Sequence, residues 1–279
     1  MIDLPDLILE PVVRAALAED YGRAGDITSA ACIPEDARLT ATFVARAEGI
    51  VAGLACARLA LAALDPDGRF EVVAADESKV LPGGAIARAE ANARAMLGAE
   101  RTALNLLCRL SGIATLAARY VAAVEGTGAR IIDTRKTTPG LRALEKYAVR
   151  CGGGANHRFG LDDGVLIKDN HIAACGSVGE AVRRARLAVG HMVKVEVEID
   201  RLDQLEEALT EGPDIVMLDN FALADLAEAV RRVSGRALVE ASGGVRLETV
   251  RAIAGTGVDL ISVGALTHSA PILDIGLDA

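Results

Sequence analysis

The second half of the chain alternates short β-rich runs with amphipathic segments at helical spacing, and this alternation constrains the fold more than any other feature. Six runs fall between residues 130 and 264, namely RIID, GVLIK, MVKVEVE, DIVML, ALVEAS and DLISVG. Strands that alternate with helices predict a parallel α/β sheet. No GxGxxG follows the first run, so a dinucleotide-binding crevice is not supported. Chemically active side chains end almost every run, which favours a closed or nearly closed barrel with its site at the carboxyl ends of the strands.

The first hundred residues predict a small α+β unit. Helical spacing from about Pro11 to Asp20 is followed by strand-like stretches at 38–55, 70–74 and 85–90. The Ala- and Leu-rich stretch 92–124 predicts a long helical connector, with a break near Ser111 and Gly112.

Composition excludes several classes of protein. The 279 residues carry 30 Lys plus Arg against 39 Asp plus Glu, a net charge of −9, so nucleic acid is not an expected partner. The longest run without a charged residue, Leu260–Leu273, has 14 residues, fewer than the roughly 20 of a membrane span. The acidic N-terminal stretch lacks the features of a secretory signal. Five Cys without a CxxC pair indicate reduced thiols, and we expect a cytoplasmic protein.

Cationic side chains outnumber acids at the predicted strand ends. The positive charges are those of Arg135, Lys136, Arg158 and Lys168, and the clearest acids are Glu198 and Asp219. A partly desolvated excess of cations costs several kcal/mol unless anions compensate it. Guanidinium groups suit carboxylates or phosphates, so this pattern predicts an anionic ligand.

The last two strand ends are small and rich in glycine. They are Ser242-Gly243-Gly244 and Val263-Gly264-Ala265. In a β/α barrel, loops in this position commonly seat a phosphate, because bare backbone N–H groups can approach its oxygens. Glu198 and Asp219 would then face sugar hydroxyls or the hydration shell of Mg²⁺.

Several other residues have plainer interpretations. We expect Lys194 and Glu196 to form an ion pair inside the barrel and Lys146 to be structural. For His171 a functional and a structural role stay equally open. His157 and His171 lack both HExxH spacing and Cys companions, so a zinc site is not predicted. No Cys has an evident activating partner, which argues against thiol catalysis.

Long motifs in this sequence resemble the quinolinate phosphoribosyltransferase family. They are DTRKTTPGLRALEKYAV, GGGANHRFGLDDGVLIKDNHI, VEVE, MLDN and EASGGV, with EDYGRAGDITS and GAERTALNLLCRLSGIAT in the first half. The resemblance implies an N-terminal α/β sandwich domain at residues 1–110 and an incomplete TIM-like α/β barrel of about seven strands at 111–267. The tail at about 268–279 would pack with the first domain. The resemblance also implies a homodimer with a shared active site.

The same resemblance implies roles for individual residues. Arg135, His157, Arg158 and Lys168 would hold the two carboxylates of quinolinate, with Arg101 reaching over from the other subunit and Thr134 and Lys136 completing the pocket. Glu198 and Asp219 match the acids on the ribose side, and the two glycine-rich strand ends match the 5′-phosphate loops. Lys136, Lys168, Glu198 and Asp219 are the expected catalytic residues, and Mg²⁺ is the expected cofactor. Cys108 departs from the Gln more often found in the family.

The implied activity is transfer of a phosphoribosyl group to quinolinate with loss of CO₂, giving nicotinate mononucleotide. Two alternatives stay open at this point. One is a paralogue associated with molybdenum transport, and the other is a barrel that binds phosphometabolites without catalysis. The intact IKDNH motif and the full cationic set favour the quinolinate enzyme over the paralogue. Retention of Glu198 and Asp219 argues against a non-catalytic protein.

Overall fold

The computed structural model describes residues 4–279 and divides the chain into two compact units. The first unit comprises the chain up to Ala118 together with Thr137–Gly153 and Leu266–Ala279, and the second comprises Arg119–Lys136 and Gly154–Ala265. Residues 137–153 therefore cluster with the first unit, whereas the sequence-based division placed them in the second domain.

The helices of the described residues are α1 Asp6–Tyr21, α2 Ile27–Cys32, α3 Leu54–Leu64, α4 Ala93–Ala123, α5 Arg142–Cys151, α6 Asp169–Cys175, α7 Val178–Ala188, α8 Leu205–Thr210, α9 Leu223–Val233, α10 Leu247–Ala254 and α11 Ala265–His268, with a 3-10 turn at Leu202–Gln204. The strands are β1 Arg38–Ala45, β2 Gly49–Ile50, β3 Arg69–Val72, β4 Lys79–Val80, β5 Ala85–Asn92, β6 Arg130–Ile132, β7 Val165–Ile167, β8 Val195–Ile199, β9 Ile215–Asp219, β10 Leu238–Ser242, β11 Leu260–Ser262 and β12 Ile275–Asp278.

An antiparallel sheet in the order β12-β1-β5-β3 forms the first unit together with its helices. In β1 the alternation seen in the sequence buries Ala41, Phe43 and Ala45, while the intervening side chains are more exposed. The ring of Phe43 packs against Phe70 of β3 at 5.8 Å between centroids. The C-terminal tail supplies β12, which pairs with β1 from Thr42↔Asp278 to Ala45↔Ile275.

The long helix α4 runs without the break predicted near Ser111 and Gly112. Gly112 serves a different purpose, because a Cβ there would lie well under 3 Å from the backbone oxygen of Pro271. The glycine therefore permits close approach of the C-terminal segment, and Ser111 donates its hydroxyl to the carbonyl of Ala52 at 3.2 Å. Both residues read as helix breakers in the sequence, and both instead make tertiary contacts.

Six parallel strands form the sheet of the second unit, in the order β6-β11-β10-β9-β8-β7. All six correspond to the β-rich runs of the sequence. Val195 and Val197 on one face of β8 are fully buried, and Glu196 and Glu198 occupy the other face, as the period-two alternation predicts.

The sheet is an incomplete barrel within residues 4–279. Beyond β6 it continues only through an isolated parallel bridge between Ile132 and Ala155. The strand count is therefore six where the family resemblance implied about seven, because the segment around Ala155 contributes one bridge and no ladder.

Helix α4 is the one helix of the described chain long and apolar enough to cross a membrane by length and composition. Its most apolar window is 56% buried within the protein, and core helices of globular proteins pass the same test.

Candidate active site

The predicted site residues of the second unit gather at the carboxyl edge of the parallel sheet. Carboxyl ends of parallel strands lie at one edge, so residues that are distant in sequence become neighbours there. In the order of the chain, these residues are Thr134, Arg135 and Lys136 after β6, Lys168 after β7, Glu198 in β8, Asp219 at the end of β9, Ser242, Gly243 and Gly244 at β10, and Val263, Gly264 and Ala265 after β11. Arg101 lies on α4 in the first unit, where it is exposed.

Lys168 and Glu198 form an ion pair at this edge, with 2.9 Å between Nζ and Oε2. The Glu198 side chain is only 17% exposed, so the pair is partly shielded from solvent. The contact joins the ends of two neighbouring strands, because β7 pairs with β8 through Leu166↔Glu196. The predicted basic and acidic residues are therefore brought together.

Asn220 joins the ends of β9 and β10. Its backbone N–H donates to the Ser242 carbonyl at 2.9 Å and its Nδ2 donates to Asp219 at 2.7 Å. Asn220 adopts a left-handed conformation with φ 59°, and a Cβ on Gly243 would lie well under 3 Å from its side chain. Gly243, with φ 91°, is thus required by close approach as well as by conformation. Sequence reasoning passed over Asn220, although its place directly after Asp219 in MLDN was a signal.

A buried carboxylate, that of Asp133, anchors the segment that carries His157 and Arg158. Asp133 is 0% exposed, its Oδ1 accepts the backbone N–H of His157 at 2.9 Å, and its Oδ2 accepts Nδ2 of Asn156 at 2.6 Å. Asp133 directly precedes Thr134, so one carboxylate ties two loops of the site to each other. The sequence placed Asp133 at a strand end but assigned it no role. The signal was a charged residue ending an otherwise apolar run.

Both ring nitrogens of His157 are engaged within the protein. Nδ1 accepts the backbone N–H of Arg158 at 2.7 Å, and Nε2 lies 2.9 Å from Oε2 of Glu196. Because Nδ1 acts as an acceptor, the ring proton resides on Nε2 and is donated to Glu196. The hydrogen bond expected from His157 to a substrate carboxylate would therefore have to replace its existing hydrogen bond to Glu196.

Arg158 is half-buried, and both the cation of Arg135 and the carboxylates of Glu196 and Asp163 act on its charge. Its Nη1 donates to the carbonyl of Gly164 at 2.9 Å. Burial lowers the pKa of the Arg158 guanidinium, and the charge of Arg135 lowers it further. The charges of Glu196 and Asp163 raise this pKa, so the protein itself offsets part of the repulsion between Arg158 and Arg135.

The predicted ion pair between Lys194 and Glu196 is wrong. Lys194 precedes β8 at the opposite, amino edge of the sheet, where its Nζ contacts Oδ1 of Asp214 at 2.8 Å. Glu196 points into the barrel and contacts His157 instead. The period-two parity was correct for both residues, but parity does not specify which neighbour each one meets.

Three further residues take the following places. Lys146 lies in α5 and is 3% exposed. The ring of His171 accepts the backbone N–H of Lys168 at 2.9 Å, so it fixes the start of α6 beside a predicted site residue. The thiol of Cys108 is buried in the first unit and donates to the carbonyl of Ile275 at 3.7 Å.

The fold and the site together define an α/β barrel protein with a small antiparallel unit and a cationic, glycine-rich carboxyl edge. Two family models cover nearly all of this chain, the quinolinate phosphoribosyl transferase N-terminal domain at residues 26–111 and the C-terminal domain at residues 113–278. The chain belongs to the quinolinate phosphoribosyltransferase family.

Individual relatives agree with this assignment. The chain is 49% identical over 271 residues to a nicotinate-nucleotide pyrophosphorylase of Mycobacterium leprae, covering 95% of each chain. It is 46% identical over 272 residues to a probable enzyme of the same name from Bacillus subtilis, covering 98% of this chain and 93% of that one. The crystal structure of NadC from Streptococcus pyogenes superposes with a TM-score of 0.96 at 38% identity, over 100% of this chain and 98% of the other.

Proposed function

We propose that this protein transfers the phosphoribosyl group of phosphoribosyl pyrophosphate to quinolinate and releases pyrophosphate and CO₂, giving nicotinate mononucleotide for NAD biosynthesis. The observation that carries the proposal is the set of cations Arg135, Lys136 and Lys168 that follow β6 and β7 at the carboxyl edge, beside a glycine-rich phosphate seat. The fourth predicted cation, Arg158, contacts the Gly164 carbonyl directly before β7. Both substrates are polyanions, and this edge concentrates positive charge on a protein whose net charge is −9. Five unpaired thiols fit a reducing cytoplasm.

The guanidinium groups of Arg135 and Arg158 would hold the two carboxylates of quinolinate. A planar fork binds a carboxylate through two parallel hydrogen bonds, which also fixes the orientation of the pyridine ring. Thr134 and Lys136 complete the pocket, and the Thr134 hydroxyl accepts the backbone N–H of Lys136 at 3.0 Å. This hydrogen bond holds the turn between Thr134 and Lys136.

The acids Glu198 and Asp219 act on the ribose. The pyridine nitrogen attacks C1 as pyrophosphate leaves, and positive charge develops on the sugar ring in the transition state. Carboxylates held in a partly dehydrated site stabilise that charge. Lys136 and Lys168 offset the negative charge of the leaving pyrophosphate.

The 5′-phosphate is assigned to the two glycine-rich loops. Gly243 and Gly244 both have positive φ, and the space that a side chain of Gly244 would fill is open. Phosphate oxygens can then approach the backbone N–H groups without obstruction.

Mg²⁺ is proposed as the metal cofactor. Glu198 and Asp219 offer the hard oxygen donors that Mg²⁺ prefers, and both are half-buried at the edge that receives the phosphates. Because Lys168 and Asn220 already contact these carboxylates, the ion would be held through its waters and the substrate phosphates. When bound, Mg²⁺ neutralises charge on the pyrophosphate.

A homodimer with shared sites is proposed from Arg101. Its side chain is exposed on α4 of the first unit, on the protein surface, where a second subunit can receive it. It would add one more guanidinium to the quinolinate pocket of the partner.

The activity is tested by incubating the protein with quinolinate, phosphoribosyl pyrophosphate and Mg²⁺ and following nicotinate mononucleotide and pyrophosphate. Nicotinate in place of quinolinate is the matched substrate control. Absence of product with quinolinate refutes the proposal, and product from nicotinate alone reassigns the substrate.

The shared site predicts complementation between two inactive variants. Arg101→Ala and Lys136→Ala should each abolish activity, and mixed dimers should regain about a quarter of it, because half of the dimers are hybrids with one intact site of two. The measurement is activity after subunit exchange, with exchange proven separately by mass labelling. No recovery in exchanged dimers contradicts the shared site.

A further inference from the structure

Asn220 lies between two parts of the site that receive different groups of one substrate. Asp219, which precedes it at the end of β9, is assigned to the ribose, and the loop 242–244 at the end of β10 is assigned to the 5′-phosphate. Asp219 and Ser242 are register partners on neighbouring strands, and both parts belong to the second unit. The roles given to the acid and to the loop leave Asn220 without a function in the reaction.

Asn220 contacts both parts at once. Its Nδ2 donates to Oδ2 of Asp219 at 2.7 Å, and its backbone N–H donates to the Ser242 carbonyl at 2.9 Å. Its side chain also packs against Gly243 so closely that the space between them cannot hold a Cβ. The amide group of Asn220 is therefore held between the acid and the turn of the loop.

The hydrogen bond from Asn220 orients a carboxylate that little else restrains. Among residues 4–279, Asn220 is the one residue that donates to the Asp219 carboxylate. A carboxyl group on a short side chain can rotate about its terminal bond, because this torsion has no sharp preference. With Oδ2 held by Asn220, the carboxylate has a set orientation, and Oδ1 is left for a ribose hydroxyl.

One residue type meets all the requirements of this position. The φ of Asn220 is 59°, a left-handed conformation that Gly, Asn and Asp tolerate and that is costly for other residues. Glycine has no side chain, and an ionised aspartate has no donor and would repel Asp219. Asparagine combines this backbone conformation with an NH₂ donor for the carboxylate. The contact with Asp219 therefore explains the residue better than the turn alone does.

The expected ligand imposes a matching requirement on the site. In a phosphoribosyl group, the ring hydroxyls and the 5′-phosphate are joined through a five-membered ring and one exocyclic carbon, so their separation varies little. A site binds such a ligand well when its two contact points are held at the same separation before binding. A small shift of the acid relative to the loop would therefore cost one of the two contacts.

We propose that Asn220 is a positioning residue that holds the Asp219 carboxylate at a fixed place relative to the 5′-phosphate loop and thereby sets the affinity of the site for phosphoribosyl compounds. The contacts with Ser242 and Gly243 hold the amide, and the amide holds the carboxylate. The inference rests on the proposed function. Its effect is confined to the phosphoribosyl side, because none of the residues that Asn220 contacts is assigned to quinolinate.

The test uses two variants and a matched control. Asn220→Gly keeps the left-handed backbone and the N–H for Ser242 but removes the amide, and Asn220→Asp keeps the side-chain shape but removes the donor. Ser234→Gly is the control, because Ser234 also has a left-handed backbone, with φ 47°, and lies outside the site at the end of α9. It reports the effect of added backbone freedom alone.

For Asn220→Gly we expect KM for phosphoribosyl pyrophosphate to rise about tenfold, as when a hydrogen bond to a charged group is lost, while KM for quinolinate stays within about twofold. Asn220→Asp should show the same difference between the two substrates, and Ser234→Gly should match the wild type in both KM values. Thermal unfolding confirms that each variant is folded, and Asn220→Asp carries the test if Asn220→Gly is not.

Calorimetric titration with ribose 5-phosphate and with inorganic phosphate measures the positioning without catalysis. Ribose 5-phosphate reaches both the acid and the loop, whereas inorganic phosphate reaches the loop alone. Asn220→Gly should weaken binding of ribose 5-phosphate about tenfold and binding of inorganic phosphate less than about twofold. In an Asp219→Ala background, the same substitution should change ribose 5-phosphate binding less than about twofold, because Asn220 acts through Asp219.

An unchanged KM for phosphoribosyl pyrophosphate in Asn220→Gly overturns the proposal, as does an equal rise of both KM values. An undiminished effect of Asn220→Gly in the Asp219→Ala background also overturns it, and so does equal weakening of ribose 5-phosphate and inorganic phosphate. If the wild type forms no nicotinate mononucleotide while ribose 5-phosphate binding still depends on Asn220, the proposed function is refuted and the positioning role stands, so the two failures are distinguishable.

Discussion

Replacement of Asp133 by Asn should loosen the segment that carries His157 and Arg158 while leaving the sheet intact. In the wild type, one buried carboxylate accepts hydrogen bonds from the His157 N–H at 2.9 Å and from Asn156 at 2.6 Å, one on each oxygen. The amide of the variant has one oxygen, so one of these donors meets an NH₂ group instead of an acceptor.

The cost follows from two contributions. The donor left without an acceptor costs about 1–3 kcal/mol, and loss of charge from the remaining hydrogen bond costs about 1 kcal/mol. We therefore expect the free energy of unfolding to fall by about 2–4 kcal/mol. If about 1.4 kcal/mol of this is also lost from the substrate complex, KM for quinolinate rises about tenfold.

Urea unfolding and steady-state kinetics measure both effects. Asp259→Asn is the matched control, because Asp259 accepts one backbone hydrogen bond, from Val239 at 2.8 Å, and an amide oxygen can still accept it. That variant should lose about 1 kcal/mol or less, with unchanged KM values. A loss for Asp133→Asn no larger than the control's, or an equal rise of KM for both substrates, refutes the anchoring role of Asp133.

Two further predictions concern stability. Gly112→Ala should lower the free energy of unfolding by about 1–3 kcal/mol, because the added methyl group meets the Pro271 backbone. In the control Gly190→Ala the methyl group meets nothing within 4 Å, so the free energy of unfolding should change by no more than about 0.5 kcal/mol. Chemical unfolding of both variants measures the difference. Burial and the charge of Glu196 raise the pKa of Glu240 in the folded state. The stability that this protonated carboxyl group contributes is fully present below the unfolded-state pKa of about 4.3, and it is lost as pH rises through the folded-state pKa. The free energy of unfolding, measured at pH 5 and pH 8, should therefore fall more in the wild type than in Glu240→Gln. Equal changes in the two proteins contradict the raised pKa of Glu240.

The parallel sheet was predictable because its strands are short, apolar and regularly spaced. The same periodicity identified the inward faces, which is why Glu198 and Asp219 emerged together with the cations as site residues. The helix break predicted near Gly112 was wrong, because α4 continues through this residue. A glycine that breaks a helix and a glycine that allows another segment to approach have the same local sequence, and only the tertiary contact with Pro271 distinguishes them.

The supporting residues of the site were harder to predict than the residues on its surface. Asp133 and Asn220 act through hydrogen bonds to backbone groups that are adjacent only after folding. Glu196 was assigned the wrong partner because strand parity gives the side of the sheet but not the neighbour across the barrel. His157 was expected at the substrate, and the orientation of its ring depends on an N–H of Arg158 that no sequence pattern specifies.

The pairing of β12 with β1 has a consequence for how the chain folds during synthesis. Strand β12 is an edge strand of a sheet whose other strands lie within the first 92 residues of this sequence. One edge of β1 therefore stays without its partner until residues 275–278 have been synthesised, and closing that contact spans more than 230 residues. Contacts of such sequence separation form slowly, and unpaired strand edges favour association between chains. The nascent chain thus depends on the four-residue strand β12, and a truncation that removes β12 would leave this edge exposed for the lifetime of the protein.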